Sequence, residues 1–572
     1  MKNQILYKTK PFENVKEIIQ NSVEKFGEKN AFIIKNKKAK EITYTNITYK
    51  EFNEDINALG TALINGKLKG EKIAVIGKNR YEWVLSYVSV LNGVGIIVPL
   101  DRGLPEIEIE ESLRRANVKA IIFENEFTEI IENIKKRNNT EVEQFICMDN
   151  NPNYMNISQL LEEGKRSIQE GNNEYENIVV DNDAVSEIVF TSGTTDMAKG
   201  VMLSHRNIAS NISDMDAMLK VYDTDTNLAF LPFHHKFGST GILVFLHGGA
   251  TNVFCDGLRH IQENMVEYHV SCFVAVPLLL EAMYKKINAE LKKQNKLKLV
   301  NKMRKITNAL LKVNIDIRRI VFKQVIDKLG GRLRLIISGA SALDKEVSKA
   351  FNDFGIETIQ GYGLTETAPV LCAENKKSIK YGSVGVPMKR VEIKIDAPNE
   401  EGIGEIVVKG PNVMLGYYKN EKATNKVLKD GWFYTGDLGY IDKEGYLFIT
   451  GREKNVIVLK NGKNVYPEEI ETLISNLPYV TENMVFGMPK EDDYTVTAKI
   501  VYNKEYTDKK YPDKTEEEFK NIIWKDIKEI NKTMPNYKHI KNIIVTDEPM
   551  IKTTTAKVKR KEEINKILSQ EL

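Results

Sequence analysis

Between about residues 48 and 340 short apolar runs alternate with stretches of helical periodicity, a pattern that leaves little besides a sheet covered by helices. The runs fall at 73–77, 120–123, 187–190, 272–277 and 333–338. Parallel strands need long crossovers, and the intervening helical segments supply them, so the pattern predicts α/β architecture with mostly parallel strands. From about 380 to 450 the apolar runs close up, at 391–395, 405–408 and 446–450 with turn residues between them, which predicts a compact β subdomain. Beyond Gly451 a strand-like run at 456–459 leads to mixed elements and to residues 515–531. There Phe519, Ile522, Ile523, Ile527 and Ile530 share one helical face, and Thr515 and Glu518 have capping-box spacing. The 572 residues far exceed the roughly 300 at which a single core stops growing, so the chain must divide. The expected division is a large domain over 1–451 and a small α+β domain over 452–572, with the boundary near Lys454.

Composition narrows the classes. Gly at 36 and Pro at 16 are near ordinary usage, and 42% of the chain is apolar, which excludes collagen-like, low-complexity and largely disordered chains. The 82 Lys and Arg nearly cancel the 79 Asp and Glu, and a net charge of +3 calls for no nucleic-acid partner. Cys147, Cys255, Cys272 and Cys372 lie far apart without a CxxC pair and read as buried thiols in a reducing compartment, with neither zinc site nor disulfide framework. The first fifteen residues lack the apolar core of a signal peptide, and Phe12 and Ile18 already read as parts of a folded domain. The longest apolar stretches, at 87–100 and 270–280, are interrupted by Asn92 or Pro277 and fall short of the ~18 residues a membrane helix needs. A cytoplasmic protein is expected.

One segment departs from the charge balance. From Lys285 to Arg332 fifteen Lys or Arg stand against three Asp or Glu, leaving the remainder of the chain net acidic. One reading is a solvated helical face with Leu291, Leu299, Ile306, Leu310 and Val313 packed inward. The other is peripheral contact with anionic lipid at the inner face of the membrane, at roughly 1 kcal/mol per basic residue close to the surface. Nucleic acid would call for aromatic interleaving, which the segment lacks.

Chemistry concentrates in a few loops. Thr191, Ser192, Gly193, Thr194, Thr195 and Lys199 follow an apolar strand, and small hydroxyl residues around a Gly let backbone N–H groups and side-chain donors converge on phosphate oxygens. The spacing is not that of a Walker A loop, because Gly200 follows the Lys instead of preceding it. The stretch is a phosphate-loop candidate, and the alternative in isolation is a Thr/Ser-rich turn that merely links strand to helix. The run Gly361, Tyr362, Gly363, Leu364, Thr365, Glu366 sets an aromatic between glycines, with a carboxylate suited to Mg²⁺ four residues after Tyr362. Upstream, Gly339 and Ala340 end an apolar strand with small residues, consistent with a flat ligand against backbone or with a tight turn. Asp437 and Arg452 suit the two hydroxyls of a ribose; alone, each reads as a Gly-Asp turn and a surface arginine.

In order along the chain, these loops, together with Leu231-Pro232-Phe233-His234-His235-Lys236-Phe237-Gly238, the run from Asn461 to Glu471 and the ending Thr553-Thr554-Thr555-Ala556-Lys557-Val558-Lys559-Arg560, resemble the adenylate-forming superfamily. The likeness runs from about Thr48 to Lys557 and is greatest to long-chain fatty acyl-CoA synthetases. It implies a large N-terminal domain of two α/β sheet subdomains plus a β subdomain, then a small mobile α+β domain turning about Lys454. It also implies a reaction in two steps: a carboxylate attacks the α-phosphate of ATP, releasing pyrophosphate, and a thiol captures the acyl-adenylate. Such chemistry needs no protein nucleophile but does need positive charge and an oriented carboxylate. By motif position Lys557 would bridge the carboxylate and α-phosphate, Thr194 and Glu366 would hold Mg²⁺, Tyr362 would pack on adenine, and His235 would face the acyl carboxylate.

Three positions depart from the superfamily pattern: Asp196 and Ala198 where Gly and Pro are usual, and Ala556 where many members have Gly. Asp196 would repel phosphates unless it turns outward or meets Mg²⁺. The expected activity is ATP-dependent ligation of a medium- or long-chain fatty acid to CoA. Its rivals are loading of a carrier protein's phosphopantetheine in trans and a catalytically silent acyl- or nucleotide-binding regulator, against which the retained Lys199, Glu366, Asp437, Arg452 and Lys557 speak.

Overall fold

The computed structural model describes residues 5–38, 41–191, 198–490, 493–512, 514–552 and 557–570. The alternating apolar runs build two large, mostly parallel sheets. In the first, of eight strands, Lys72–Ile76 lies at the centre between Ile96–Pro99 and Ala120–Phe123, all parallel. Val185–Thr191 joins beside Ile96–Pro99, and Lys199–Ser204 returns antiparallel to it, so residue 191 and Lys199 emerge together at one end. In the second, of nine strands, Thr226–Ala229, Cys272–Ala275, Leu335–Ser338 and Glu357–Gly363 run parallel as consecutive neighbours. The run expected at 272–277 stops at Ala275 because Pro277 opens the next helix, where its missing N–H leaves no bond unmade.

The helices Tyr49–Asn65, Tyr81–Ser89, His205–Met218 and Lys236–His247 contribute to one apolar core shared by residues of both sheets. Phe12 and Ile18 are buried in it. A third, five-stranded antiparallel sheet carries Glu392–Asp396, Gly404–Lys409, Trp432–Ile441 and Leu447–Arg452, the β subdomain expected between 380 and 450. After it, residues 457–567 close around two apolar clusters of their own on a three-stranded sheet. The helix Glu516–Asn531 starts as the capping box requires, with Thr515 and Glu518 exchanging bonds, and buries Phe519, Ile523 and Ile527.

Two expectations need correction. Cys147, Cys272 and Cys372 are buried, but Cys255 is only half-buried. In the basic segment Leu291 packs inward, whereas Leu299, Ile306 and Val313 are 58%, 41% and 64% exposed, and Leu310 is half-buried. The reason is that Val300, Met303 and Thr307 already fill the contact face of the helix Leu297–Leu311. Among the described residues no helix is long and apolar enough to cross a membrane.

Candidate active site

Strand ends and the β subdomain enclose a cleft of about 2260 Å³, and every described residue expected to bind or catalyse lines it. Thr191 and Lys199 enter from the eight-stranded sheet; Gly339, Ala340, Gly361, Tyr362, Gly363, Thr365 and Glu366 from the nine-stranded sheet; Asp437 and Arg452 from the β subdomain; Lys454 and Lys557 from beyond it. Ser192, Gly193, Thr194, Thr195, Asp196 and Ala556 lie outside the described residues.

Asp437 and Arg452 are directly paired across neighbouring strands, and Arg452 Nε lies 2.6 Å from Asp437 Oδ1. Tyr362 Oη donates to the other carboxylate oxygen at 2.7 Å. Burial raises the Asp437 carboxyl, and Arg452 and the Tyr362 hydrogen bond pull against that rise. Each oxygen keeps a lone pair for a further donor such as a ribose hydroxyl. Gly363 is dictated by crowding, since a Cβ there would meet the Pro369 carbonyl oxygen at 1.7 Å. Ala340 takes a left-handed φ of 73°, a strained backbone for a residue with a Cβ, beside Gly339 at the strand end.

Glu366 sits in a single 3₁₀ turn, and Oε1 accepts from Tyr417 Oη at 2.9 Å. Lys199 Nζ lies 5.1 Å from the centre of the Tyr417 ring, so one tyrosine spans the phosphate-loop lysine and the candidate metal carboxylate. Sequence reasoning missed Tyr417; the only signal was an apolar-aromatic run, 413–418, placed between two β stretches. It missed Arg115 as well, which donates through Nη2 to the Ala198 carbonyl at 2.5 Å and stacks on Phe190, bringing a permanent charge to the exit of the phosphate loop.

His235 both lines the cleft and caps a helix: Nδ1 accepts from the Phe237 N–H at 3.3 Å at the start of Lys236–His247. Burial, with the positive charge of Lys557 and then His234 adding to it, pushes its pKa down to about 4. The ring is neutral near pH 7, and with Nδ1 accepting, its proton resides on Nε2. Next to it Lys236 is wholly buried, 2.5 Å from Glu187 and 3.3 Å from Tyr87 Oη. That ion pair ties the strand leading into the phosphate loop to the helix that His235 caps.

Lys557 faces the water of the cleft yet has protein on most sides. Burial and the neighbouring Arg452 lower its pKa, while Asp437 and Glu366 oppose them. Its segment is folded back on itself, Lys559 N–H donating to the Ile551 carbonyl at 2.8 Å. Arg560 fastens it, gripping both carboxylate oxygens of Glu471 and donating to the Val485 carbonyl at 2.9 Å. The run at 461–471 and the Lys-x-Lys-Arg ending are thereby joined in space. Lys454, in the 3₁₀ turn Glu453–Asn455, also has its pKa lowered by burial and by Arg452. The cleft thus gathers Lys199, Arg115, Arg452, Lys454 and Lys557 among its lining residues, cations that suit a polyphosphate and a second anion.

Residues 19–418 match the family model for AMP-binding enzyme, and residues 454–569 that for the AMP-binding enzyme C-terminal domain. A chloroplastic long-chain-fatty-acid–[acyl-carrier-protein] ligase of Arabidopsis thaliana is 26% identical over 97% of this chain and 86% of its own. Long-chain-fatty-acid–CoA ligase 5 of Mus musculus is 28% identical over 91% of this chain and 82% of its own. Among solved structures, an anthranilate CoA ligase in complex with anthranoyl-AMP superposes with a TM-score of 0.76 over 99% of both chains at 20% identity. An O-succinylbenzoate coenzyme A synthetase of Bacillus subtilis, in complex with ATP and magnesium ion, gives 0.71 over 97% of this chain and all of its own at 22% identity. At these identities the structures establish a shared fold.

Proposed function

The chain belongs to the AMP-binding enzyme family, and from that premise we propose that it activates a fatty acid, medium- or long-chain, with ATP and passes the acyl group to CoA. The observation that carries the reading is the insertion of Lys557, from the C-terminal part of the chain, into the cleft beside Asp437, Arg452, Glu366 and His235.

In the first step a carboxylate oxygen attacks the α-phosphorus and the bond to pyrophosphate breaks. Charge builds on the phosphoryl oxygens, and Lys557 is the cation placed to meet it. Asp437 accepts from the ribose, Arg452 and Tyr362 hold Asp437 in place, and Tyr362 packs on the adenine. Lys199, with Arg115 on the Ala198 carbonyl, supports the departing phosphates. His235, neutral and protonated on Nε2, offers a donor to the acyl carboxylate without a competing positive charge. Glu366 is a carboxylate in the cleft that hard-cation chemistry suits, and together with Thr194 it would hold the Mg²⁺ that neutralises phosphate charge when bound. In the second step a thiol sulfur attacks the acyl carbonyl and AMP leaves. Rotation of residues 452–572 about Lys454 would withdraw Lys557 and open the path for the thiol, and the separate apolar clusters beyond residue 456 support such a movement.

The substrate class rests on the apolar part of the cleft wall, with Met215, Met218, Val370, Val384 and Met388, and on the printed names of the relatives. A second reading has one observation behind it: the Arabidopsis relative that spans nearly the whole chain is named for an acyl-carrier-protein acceptor. Pyrophosphate release with ATP and Mg²⁺, measured across acids from acetate to oleate, tests the first step. Release stimulated by CoA, with a CoA thioester formed, is the expected result. Stimulation by a phosphopantetheinylated carrier protein alone would establish the second reading, and no release with any acid would defeat both.

A further inference from the structure

The basic segment is not used by the chemistry above. Its helix Leu297–Leu311 is firmly attached: Arg304 pairs with Asp353 at 2.8 Å, Asn308 donates to the same carboxylate at 2.7 Å, and Thr307 is buried. On the side turned away from the protein Leu299 and Ile306 recur at seven residues, more than a third exposed each, and Val313 continues the line just beyond the helix end. Lys298, Lys302, Lys305 and Lys312 stand exposed beside this line. Among the described residues none of the four lies within ion-pair distance of a carboxylate.

An apolar line flanked by unneutralised lysines on an anchored helix has two unmet demands in water. An acidic polymer such as nucleic acid would satisfy the lysines and leave Leu299 and Ile306 wet. An anionic bilayer surface satisfies both, taking the apolar side chains into the headgroup boundary while the lysines lie against lipid phosphates. We propose that the helix Leu297–Leu311 and the turn after it dock this protein on an anionic lipid surface. The neighbouring helix Pro277–Lys293 runs from the cleft wall, where Leu278 is 65% exposed, toward the start of Leu297–Leu311. The contact itself does not depend on the proposed reaction.

The test is co-sedimentation of the full chain with vesicles of phosphatidylcholine alone or mixed with phosphatidylglycerol. Binding is expected only to the anionic vesicles and should weaken with added salt. Reversing the four lysines together, Lys298→Glu, Lys302→Glu, Lys305→Glu and Lys312→Glu, should lower the affinity about tenfold or more. The pair Leu299→Asp and Ile306→Asp should remove the part of the binding that survives salt. A control reversing Lys520, Lys525, Lys528 and Lys532, also exposed, should bind as the unaltered chain does. Circular dichroism and pyrophosphate release with a water-soluble medium-chain acid should be the same for all. Equal binding to neutral vesicles, an equal loss in the control, or retention on duplex DNA without vesicle binding would overturn the proposal.

Discussion

In the proposed reaction Lys557 carries the chemistry, and Lys236 carries the frame beneath it. Lys557→Ala should reduce pyrophosphate release by roughly two to three orders of magnitude, the size of effect seen when one preorganised charge is removed from a transition state. Thioester formation from supplied acyl-adenylate should survive, which single-turnover thiol transfer would show. Lys236→Met leaves Glu187 charged, buried and without its counter-ion, and should destabilise the fold by about 3–5 kcal/mol. Adding Glu187→Gln should restore most of that loss, and urea unfolding of both variants checks it. Histidine sets the acid limit. Burial pushes His205, like His235, down to about 4 from its ordinary 6.5, so between those values the unfolded chain binds more protons than the folded one. The stability these groups contribute is complete above about pH 6.5 and is lost as pH falls toward 4. The urea midpoint should drop across that window, and His205→Asn should shrink the drop.

At the scale of elements, loops do the binding and strand pairing decides which loops meet. Asp437 and Arg452 are fifteen residues apart in the sequence and opposite each other in the antiparallel pair of Trp432–Ile441 with Leu447–Arg452. Among the described residues the lysine-bearing segment is held by a single antiparallel bridge, Lys552 with Val558, and by Arg560 on Glu471 and Val485. Arg560→Met should therefore lower kcat for adenylation by about tenfold to a hundredfold and leave the KM for ATP nearly unchanged, because misplaced chemistry loses rate before binding. Initial-rate pyrophosphate assays separate the two parameters. The start of Glu516–Asn531 is a purely local matter, and Thr515→Ala should cost about 1 kcal/mol without touching activity.

For the molecule as a whole, the proposed function makes the placement of Lys557 in the cleft and that of a thiol there alternatives, and it requires the turn at Lys454 to move. Lys454→Pro, which locks φ at the turn, should leave acid-dependent pyrophosphate release near normal while suppressing thioester formation at least tenfold. Rapid-quench measurement of the two half-reactions gives the answer. Much of this plan was legible in the residues. Short apolar runs alternating with helical stretches impose a helix-covered sheet, and small residues at strand ends mark backbone that must come close to a ligand, because both are local consequences of side-chain size and period. Even the mutual grip of Tyr362, Asp437 and Arg452 involves residues the motifs had already marked. What only the tertiary structure decided are the contacts between segments distant in sequence: Tyr417 between Lys199 and Glu366, Arg115 on the Ala198 carbonyl, Lys236 on Glu187, and the turning outward of Leu299 and Ile306. The helical period says that such residues share a face, but which face is buried depends on the neighbour that packs there, and that neighbour lies elsewhere in the chain.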